Sequence, residues 1–581
     1  MKNLFNKLNN ILSRKQKKQC MILLLLTVAG SVLELFSVSA LLPLVTLLLD
    51  SEHVLQNKYV IFFCKLFSIT NLPILIILFC VALIFLFIVK NMFLIAILKK
   101  RMYTVNDIRF SLTKRVLDSY MQRDYSFHTL TNSSVLLRGM DEDVSGLANC
   151  LNQIFVTILE GLTIILIVTG LLIISPIPTI LLFIFIGTIG YTYIRRQKRI
   201  IQSAGEVYSY NAAVAKKHAL QAFGGIKEIL VTRTMVYFAD QCSESMKKRI
   251  HSESERGISE KAPTYMFELI FMMAFLLMLI SVSFLGESTM SISGQLSAFG
   301  VAALRLLPSV GRLNTAWSSL LFYKVSVDNV YATLQDVEKN QNVVKAVEKY
   351  STICFKNTIV IDGVWWKYEG RDEYILQGIY LEIQRGEAIA IIGPSGSGKT
   401  TLADILLGLY MPQKGKITVD GVDINWHNPA WATFIGYVPQ TAYLLDDTIR
   451  SNIAFGINRN EIDDAYIWDI LSKVQLDDFV KELPHQLDTV IGENGVRISG
   501  GQRQRISIAR ALYRDPQVMI FDEATSALDS ETESAIMESI DALRGHKTLI
   551  IIAHRLTTIQ RCDHIYEVTD GRIKKVEHLS I

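Results

Sequence analysis

The chain has 581 residues, 50% of them hydrophobic, and a formal net charge of only +4. That length exceeds one ordinary domain, the near-balanced charge gives no global reason to expect nucleic acid, and the apolar residues crowd into the first half. The seven cysteines are scattered without a C-x-x-C pair, which argues against a disulfide framework or a zinc site.

Residues 1–18 carry Lys2, Lys7, Arg14, Lys15, Lys17 and Lys18, with Leu4, Phe5, Leu8, Ile11 and Leu12 at helical spacing. This fits an amphipathic helix on the cytoplasmic membrane surface, or a basic flank that only sets topology. Six long apolar segments follow, at about 21–49, 73–98, 148–175, 177–194, 264–286 and 292–312. Each is near or above the ~20 residues that span a bilayer. Basic clusters after the second segment (Lys99, Lys100, Arg101) and the fourth (Arg195, Arg196, Lys198, Arg199) place those ends in the cytoplasm. The stretches 99–147 and 195–263 read as helical extensions of the spans, turning near 124–131 and 216–224. The outer link at 50–72 is dense in apolar residues, as suits either a helix on the outer membrane surface or packing against the other helices. Ionisable residues within spans are functional candidates by default; here they are Glu34, Lys90, Glu160, Glu268 and Arg305. Snorkelling of Lys90 and interhelical ion pairing of the rest are the structural alternatives.

The segment 337–355 is polar and reads as a linker, leaving 1–336 as the membrane domain and 356–581 as a globular domain. Tyr368 lies upstream of a phosphate-binding loop and can stack on adenine, whereas a core role fits Trp365 or Trp366 better. The loop itself is Gly393-Pro394-Ser395-Gly396-Ser397-Gly398-Lys399-Thr400, between the apolar strand 388–392 and a helix that begins near Thr401. Its glycines let backbone N–H groups approach phosphate, and the helix N-terminus favours the anion. Lys399 reaches the β/γ-phosphates and Thr400 supplies a hydroxyl to Mg²⁺.

Further on, Gln440 follows a short strand, where an amide can bind Mg²⁺ and orient water. Ser499, Gly500, Gly501 and Gln502 open a helix and form a second anion cap, free for another molecule's nucleotide. The strand 518–521 ends in Asp522, a Mg²⁺ ligand, and Glu523, which polarises the attacking water; Ser526 to Asp529 follow as a turn. His554 closes the strand 549–553 and either bonds the γ-phosphate or is a satisfied core histidine.

Together these residues resemble an ATP-binding cassette protein, over the whole globular half and in the family's order. The resemblance implies Tyr368 as the adenine-stacking aromatic, Walker A at 393–400 with Thr401 beside it, Gln440 as the Q-loop and 498–502 as the signature. It also implies Walker B ending at Asp522 and Glu523, the D-loop at 526–529 with Asp529, and His554 as the switch histidine. Ile498 stands where the family most often has Leu. Six spans ahead of one such domain resemble a type IV exporter half-transporter. The implied architecture is a six-helix all-α transmembrane domain followed by an α/β P-loop nucleotide-binding domain. It implies ATP and Mg²⁺ as ligands and a homodimer in which the signature of one subunit closes on ATP held by the other.

More narrowly, 31–36, 49–50, the outer link and 304–309 are similar to bacterial flippases of lipid-linked oligosaccharides used in protein glycosylation. That likeness implies an inner-membrane protein whose cavity cations, here Lys90 and Arg305, meet a pyrophosphate; Thr264 stands at a third such position. An exporter of drugs, peptides or other lipids on the same scaffold is the competing expectation. A soluble cassette ATPase is disfavoured by the six spans, and an ATP-gated channel by Glu523 and the signature.

Overall fold

The computed structural model describes residues 2–41, 44, 72–174, 176–285, 289–345, 355–424, 429–523, 537–538, 540–541, 543–553, 555 and 559–576. The outer link at 50–72 lies almost wholly outside the described residues. The chain divides into two compact units, Met1–Arg123 with His128–Lys339, and Asp124–Phe127 with Asn340–Ile581.

The first unit is helical. Helix α1 (Lys2–Ile11) precedes α2 (Arg14–Ser39), α3 (Leu72–Met121), α4 (Val144–Ile174), α5 (Pro176–Gly224), α6 (Met235–Leu285), α7 (Thr289–Phe322) and α8 (Lys324–Lys345). Helices α2 to α7 contain the six apolar segments as far as these are described, and α3, α5 and α6 run far beyond them. Among the described residues, three helical stretches are long and apolar enough to cross a membrane: Arg14–Ser37, Pro73–Met121 and Ser133–Ile173. Their outward faces carry exposed residues such as Ile84, Phe85 and Met92, which suits contact with lipid rather than water.

Two local results differ from the sequence reading. The apolar stripe of α1 (Leu4, Leu8, Ile11) is buried within the protein rather than laid on a bilayer surface. Lys7 fixes the helix through an ion pair of 2.7 Å to Asp328 on α8. Helix α8 continues to Lys345, so the expected linker at 337–355 begins as helix; polar, charge-mixed sequence is also what a solvated helix face requires.

The second unit is α/β. A four-stranded antiparallel sheet has the order β2-β1-β4-β5, from β1 (Thr358–Trp366), β2 (Leu376–Gln384), β4 (Lys414–Val419) and β5 (Val422–Asp423). A six-stranded sheet is built from β3 (Ala388–Ile392), β6 (Ile435–Val438), β7 (Val518–Asp522), β8 (Thr548–Ile552), β9 (His564–Thr569) and β10 (Arg572–Val576). Its order is β10-β9-β3-β8-β7-β6. Every pair in it is parallel except β9 with β10. Strands β3, β7 and β8 are buried nearly throughout, which explains their unbroken apolar sequences: both faces are covered. Parallel pairing puts the carboxyl ends of β3, β8 and β7 on one edge, where α/β sheets hold their ligands.

Candidate functional site

The loop after β3 turns on Gly393 (φ 145°), where a Cβ would lie 2.2 Å from the Val568 carbonyl oxygen. No side chain fits there. Gly396 (φ 81°) instead faces open space, so its backbone is free to meet a ligand. The loop leads through Ser395 and Gly398 into α9 (Lys399–Leu406). The Lys399 ammonium curls back over the loop, donating to the carbonyls of Gly393 (2.9 Å) and Pro394 (3.0 Å). The Ser397 hydroxyl is buried with no hydrogen-bond partner among the described residues.

Asp522 ends β7, two strands away, and accepts a hydrogen bond from Thr400. Burial pushes its carboxyl above the ordinary value and Glu523 adds to the shift, against the Thr400 bond and the Lys399 charge. Burial also pulls the Lys399 ammonium down, while Glu523 and Asp522 oppose it. A cation at Asp522 and a polyanion at Lys399 would relieve both strains together.

Glu523 sits in the left-handed region (φ 48°), a strained conformation for a residue that bears a side chain. Its carboxylate accepts a hydrogen bond of 2.8 Å from the Gln440 amide, which follows β6. The oxygens of Thr400, Asp522 and Gln440 are hard donors of the type Mg²⁺ takes, and a single carboxylate suffices where phosphates complete the shell.

Tyr368 packs edge-on against Trp366 (4.4 Å between ring centres), with Tyr410 completing the cluster 4.6 Å from Trp366. Its hydroxyl lies 3.5 Å from the Thr401 hydroxyl, beside the phosphate loop. Trp366 is buried, as the sequence suggested, whereas Tyr410 had no signal beyond its aromaticity. The second unit also holds a tilted ring contact between Tyr125 and Tyr410 (5.4 Å).

The signature opens α10 (Gly500–Leu512) as a capping box: the Gln502 N–H donates to Ser499 Oγ (3.2 Å) and the Ser499 N–H to Gln502 Oε1 (2.9 Å). Ser499 and Gly500 are exposed and Gly501 is buried. Two residues on α10 that sequence reading missed hold the Q-loop region. Gln504 donates to the Pro439 carbonyl (3.3 Å), and Arg510 to the carbonyls of Tyr443 (2.7 Å) and Asn452 (2.8 Å). Asp529 and His554 lie outside the described residues.

Asp404, on α9, was also missed. Burial raises its carboxyl to about 6, and Asp522 contributes. A raised carboxyl keeps its proton in the fold at pH values where the unfolded chain has lost it, so its stabilisation is present below about pH 4 and lost as pH rises through 6. Asp404→Asn removes that loss. The melting temperature of the full-length variant is expected to gain on wild type between pH 4.5 and about 6.5 and to level off above, and a constant difference across that rise would refute the assignment.

In the helical unit, Arg305 is not an open cationic lining residue: it forms an ion pair with Glu34, which is 2% exposed. A carboxylate buried among apolar helices needs a cation, and α7 supplies it. Thr163 donates a second bond to Glu34 (3.2 Å). Glu160 is likewise paired with Arg312 (2.5 Å). Lys90 is 8% exposed and lies 4.6 Å from the centre of the Phe87 ring, with no ion pair among the described residues.

Phosphate loop, acidic strand end and capped second helix on one mainly parallel sheet define a P-loop ATP-binding domain, joined in one chain to long apolar helices. The family model described as ABC transporter matches residues 376–526. The chain is 30% identical over 480 residues to an ATP-dependent lipid A-core flippase of Haemophilus influenzae, covering 80% of this chain and 78% of that protein. It is 31% identical over 482 residues to the flippase of that name in Pasteurella multocida, covering 80% and 79%. It is 32% identical over 478 residues to the heterocyst differentiation ATP-binding protein HepA of a Nostoc species, covering 80% and 75%. A bacterial Atm1-family ABC exporter with ATP bound shares the fold at TM-score 0.73 and 22% identity, over 96% of this chain and 94% of that one. The chain belongs to the ABC transporter family, in its exporter form. It is a membrane protein with a cytoplasmic ATPase domain, and it couples ATP hydrolysis to transport.

Proposed function

We propose that this chain flips a polyprenyl-pyrophosphate-linked oligosaccharide from the cytoplasmic to the outer leaflet of a bacterial inner membrane, as a homodimer with two competent ATP sites. The observation that carries the cargo class is Lys90. A cation almost wholly buried in an apolar helix, with an aromatic face beside it and no ion pair among the described residues, is costly unless an anion arrives. The likeness of 31–36 and 304–309 to oligosaccharide flippases supports the same class. Arg305 contributes through its pair with Glu34, by holding α7 against α2.

In this reading residues 1–336 form the membrane domain and 356–581 the nucleotide-binding domain. Tyr368 stacks on adenine. Gly393, Ser395, Gly396, Gly398, Lys399 and Thr401 hold the phosphates. Thr400, Asp522 and Gln440 would hold Mg²⁺, which would supply charge neutralisation to the phosphates. Glu523 polarises water, and His554 bonds the γ-phosphate. Ser499, Gly500, Gly501 and Gln502 close on the partner subunit's nucleotide, with Asp529 beside the closure. Dimer closure and reopening then move the helices between inward- and outward-open forms.

The names of the relatives favour a second cargo, lipid A-core. The test is ATPase activity of the purified protein in liposomes with polyprenyl-pyrophosphate oligosaccharide, lipid A-core, peptides or hydrophobic drugs. Stimulation by the first alone is expected. A response to lipid A-core alone shifts the cargo to that of the relatives, and an equal response to every amphiphile overturns the reading.

A further inference from the structure

A second polar feature of the helical unit belongs neither to the ATP site nor to Lys90. A cavity of about 430 Å³ opens among α4, α6 and α7, lined by the polar side chains of Gln153, Thr264, Arg312 and Thr315, with Val156 and Pro308 as its apolar part. Its size is in the range of small-molecule sites. It lies where the apolar segments of all three helices give way to their charged extensions.

The cavity is built by specific contacts. Pro263 interrupts α6 and leaves the Ser259 carbonyl without its helical N–H donor. The Asn314 amide of α7 donates to that carbonyl (3.1 Å) and to the next, Glu260 (3.0 Å), tying the helices together beside the cavity. Gly311 permits the close approach, because a Cβ there would sit 3.0 Å from Thr264 Oγ1.

Its electrostatics select the ligand. Arg312 lines the cavity, yet its charge is already matched: Nε and Nη2 donate to the two oxygens of Glu160 at 2.5 and 3.2 Å, and Glu160 is 3% exposed. A bidentate pair of this kind has no net charge to offer a phosphate. What remains is hydrogen-bonding capacity. Arg312 Nη1 donates to no described residue, and the side chains of Gln153 and Thr264 make no hydrogen bond among the described residues. Thr315 donates weakly to the Glu260 carbonyl (3.5 Å), which leaves its oxygen free to accept. Unused donors and acceptors on half-buried side chains, beside an ion pair that is already matched, suit the hydroxyls of a sugar.

We propose that this cavity is a carbohydrate subsite that takes the first sugars of the cargo head group. The proposal rests on the reading of the cargo as a saccharide-bearing lipid. The test measures half-saturating concentrations for ATPase stimulation in liposomes by polyprenyl pyrophosphate, with and without its oligosaccharide. Wild type is compared with the near-isosteric variant Thr315→Val, and with Gln153→Leu as a second, independent probe. Wild type should respond at lower concentration to the glycosylated lipid. Each variant should lose about tenfold in that response, while the response to the bare lipid stays unchanged. An equal wild-type response to both lipids, or a variant effect that is absent or equal on both, overturns the subsite and leaves the cargo reading standing. A wild type that answers neither lipid overturns the cargo reading and the subsite with it.

Discussion

Glu523→Gln is expected to retain ATP binding and to lose at least ~100-fold in turnover, the usual scale for a displaced general base. The replacement keeps the shape of the side chain and can still present an oxygen to the Gln440 amide, which donates to it at 2.8 Å in the native protein. Gln tolerates the left-handed backbone at this position as well as Glu does, so the fold should not respond. Lys399 and the phosphate loop are untouched, which is why nucleotide affinity should survive. Steady-state hydrolysis and equilibrium ATP binding on the same preparation check the two halves of the statement. Turnover within tenfold of wild type would remove Glu523 from the role of polarising water and leave it a structural partner of the Q-loop.

Arg305→Leu is expected to be strongly destabilising, by about 3–5 kcal/mol, because it leaves a buried carboxylate without its cation. Glu34 is 2% exposed and keeps one donor, the Thr163 hydroxyl at 3.2 Å, which cannot replace a guanidinium. The double variant Glu34→Leu/Arg305→Leu should recover most of the loss, since an apolar pair of similar volume removes both desolvation penalties. Thermal unfolding of the detergent-solubilised protein reads the cycle. The opposite outcome, a stable single variant that has lost only its response to a pyrophosphate lipid, would return Arg305 to the role of a cavity cation.

The family and the fold around the phosphate loop were legible in the sequence because their signals are local. Backbone N–H groups of consecutive residues hold phosphate, so Gly393 to Thr400 carry their purpose in their spacing. The acidic pair Asp522 and Glu523 follows an apolar strand for the same reason: a buried parallel strand has one end at which a ligand can be met. The six apolar segments were equally plain, since spanning a bilayer requires only length and hydropathy.

Which side chains pair between distant helices was not legible. Arg305 read either as a cation facing a cavity or as half of an interhelical ion pair, and the fold gave it Glu34; Arg312 drew no notice, and the fold gave it Glu160 and a place in a cavity wall. Which way a helical residue faces depends on the rotation of its helix against neighbours, and composition does not encode that rotation. Tyr410 and Asp404 were silent for the same reason. An aromatic ring and a carboxylate gain meaning here only because Trp366 and Asp522 arrive beside them from other strands. The sequence by itself determined the class of machine, its ATP chemistry and its membrane segments, all of which depend on contiguous residues. Only the tertiary structure decided which charges are neutralised within the protein and which polar groups remain for a ligand, because that balance is set by contacts between helices remote in the chain.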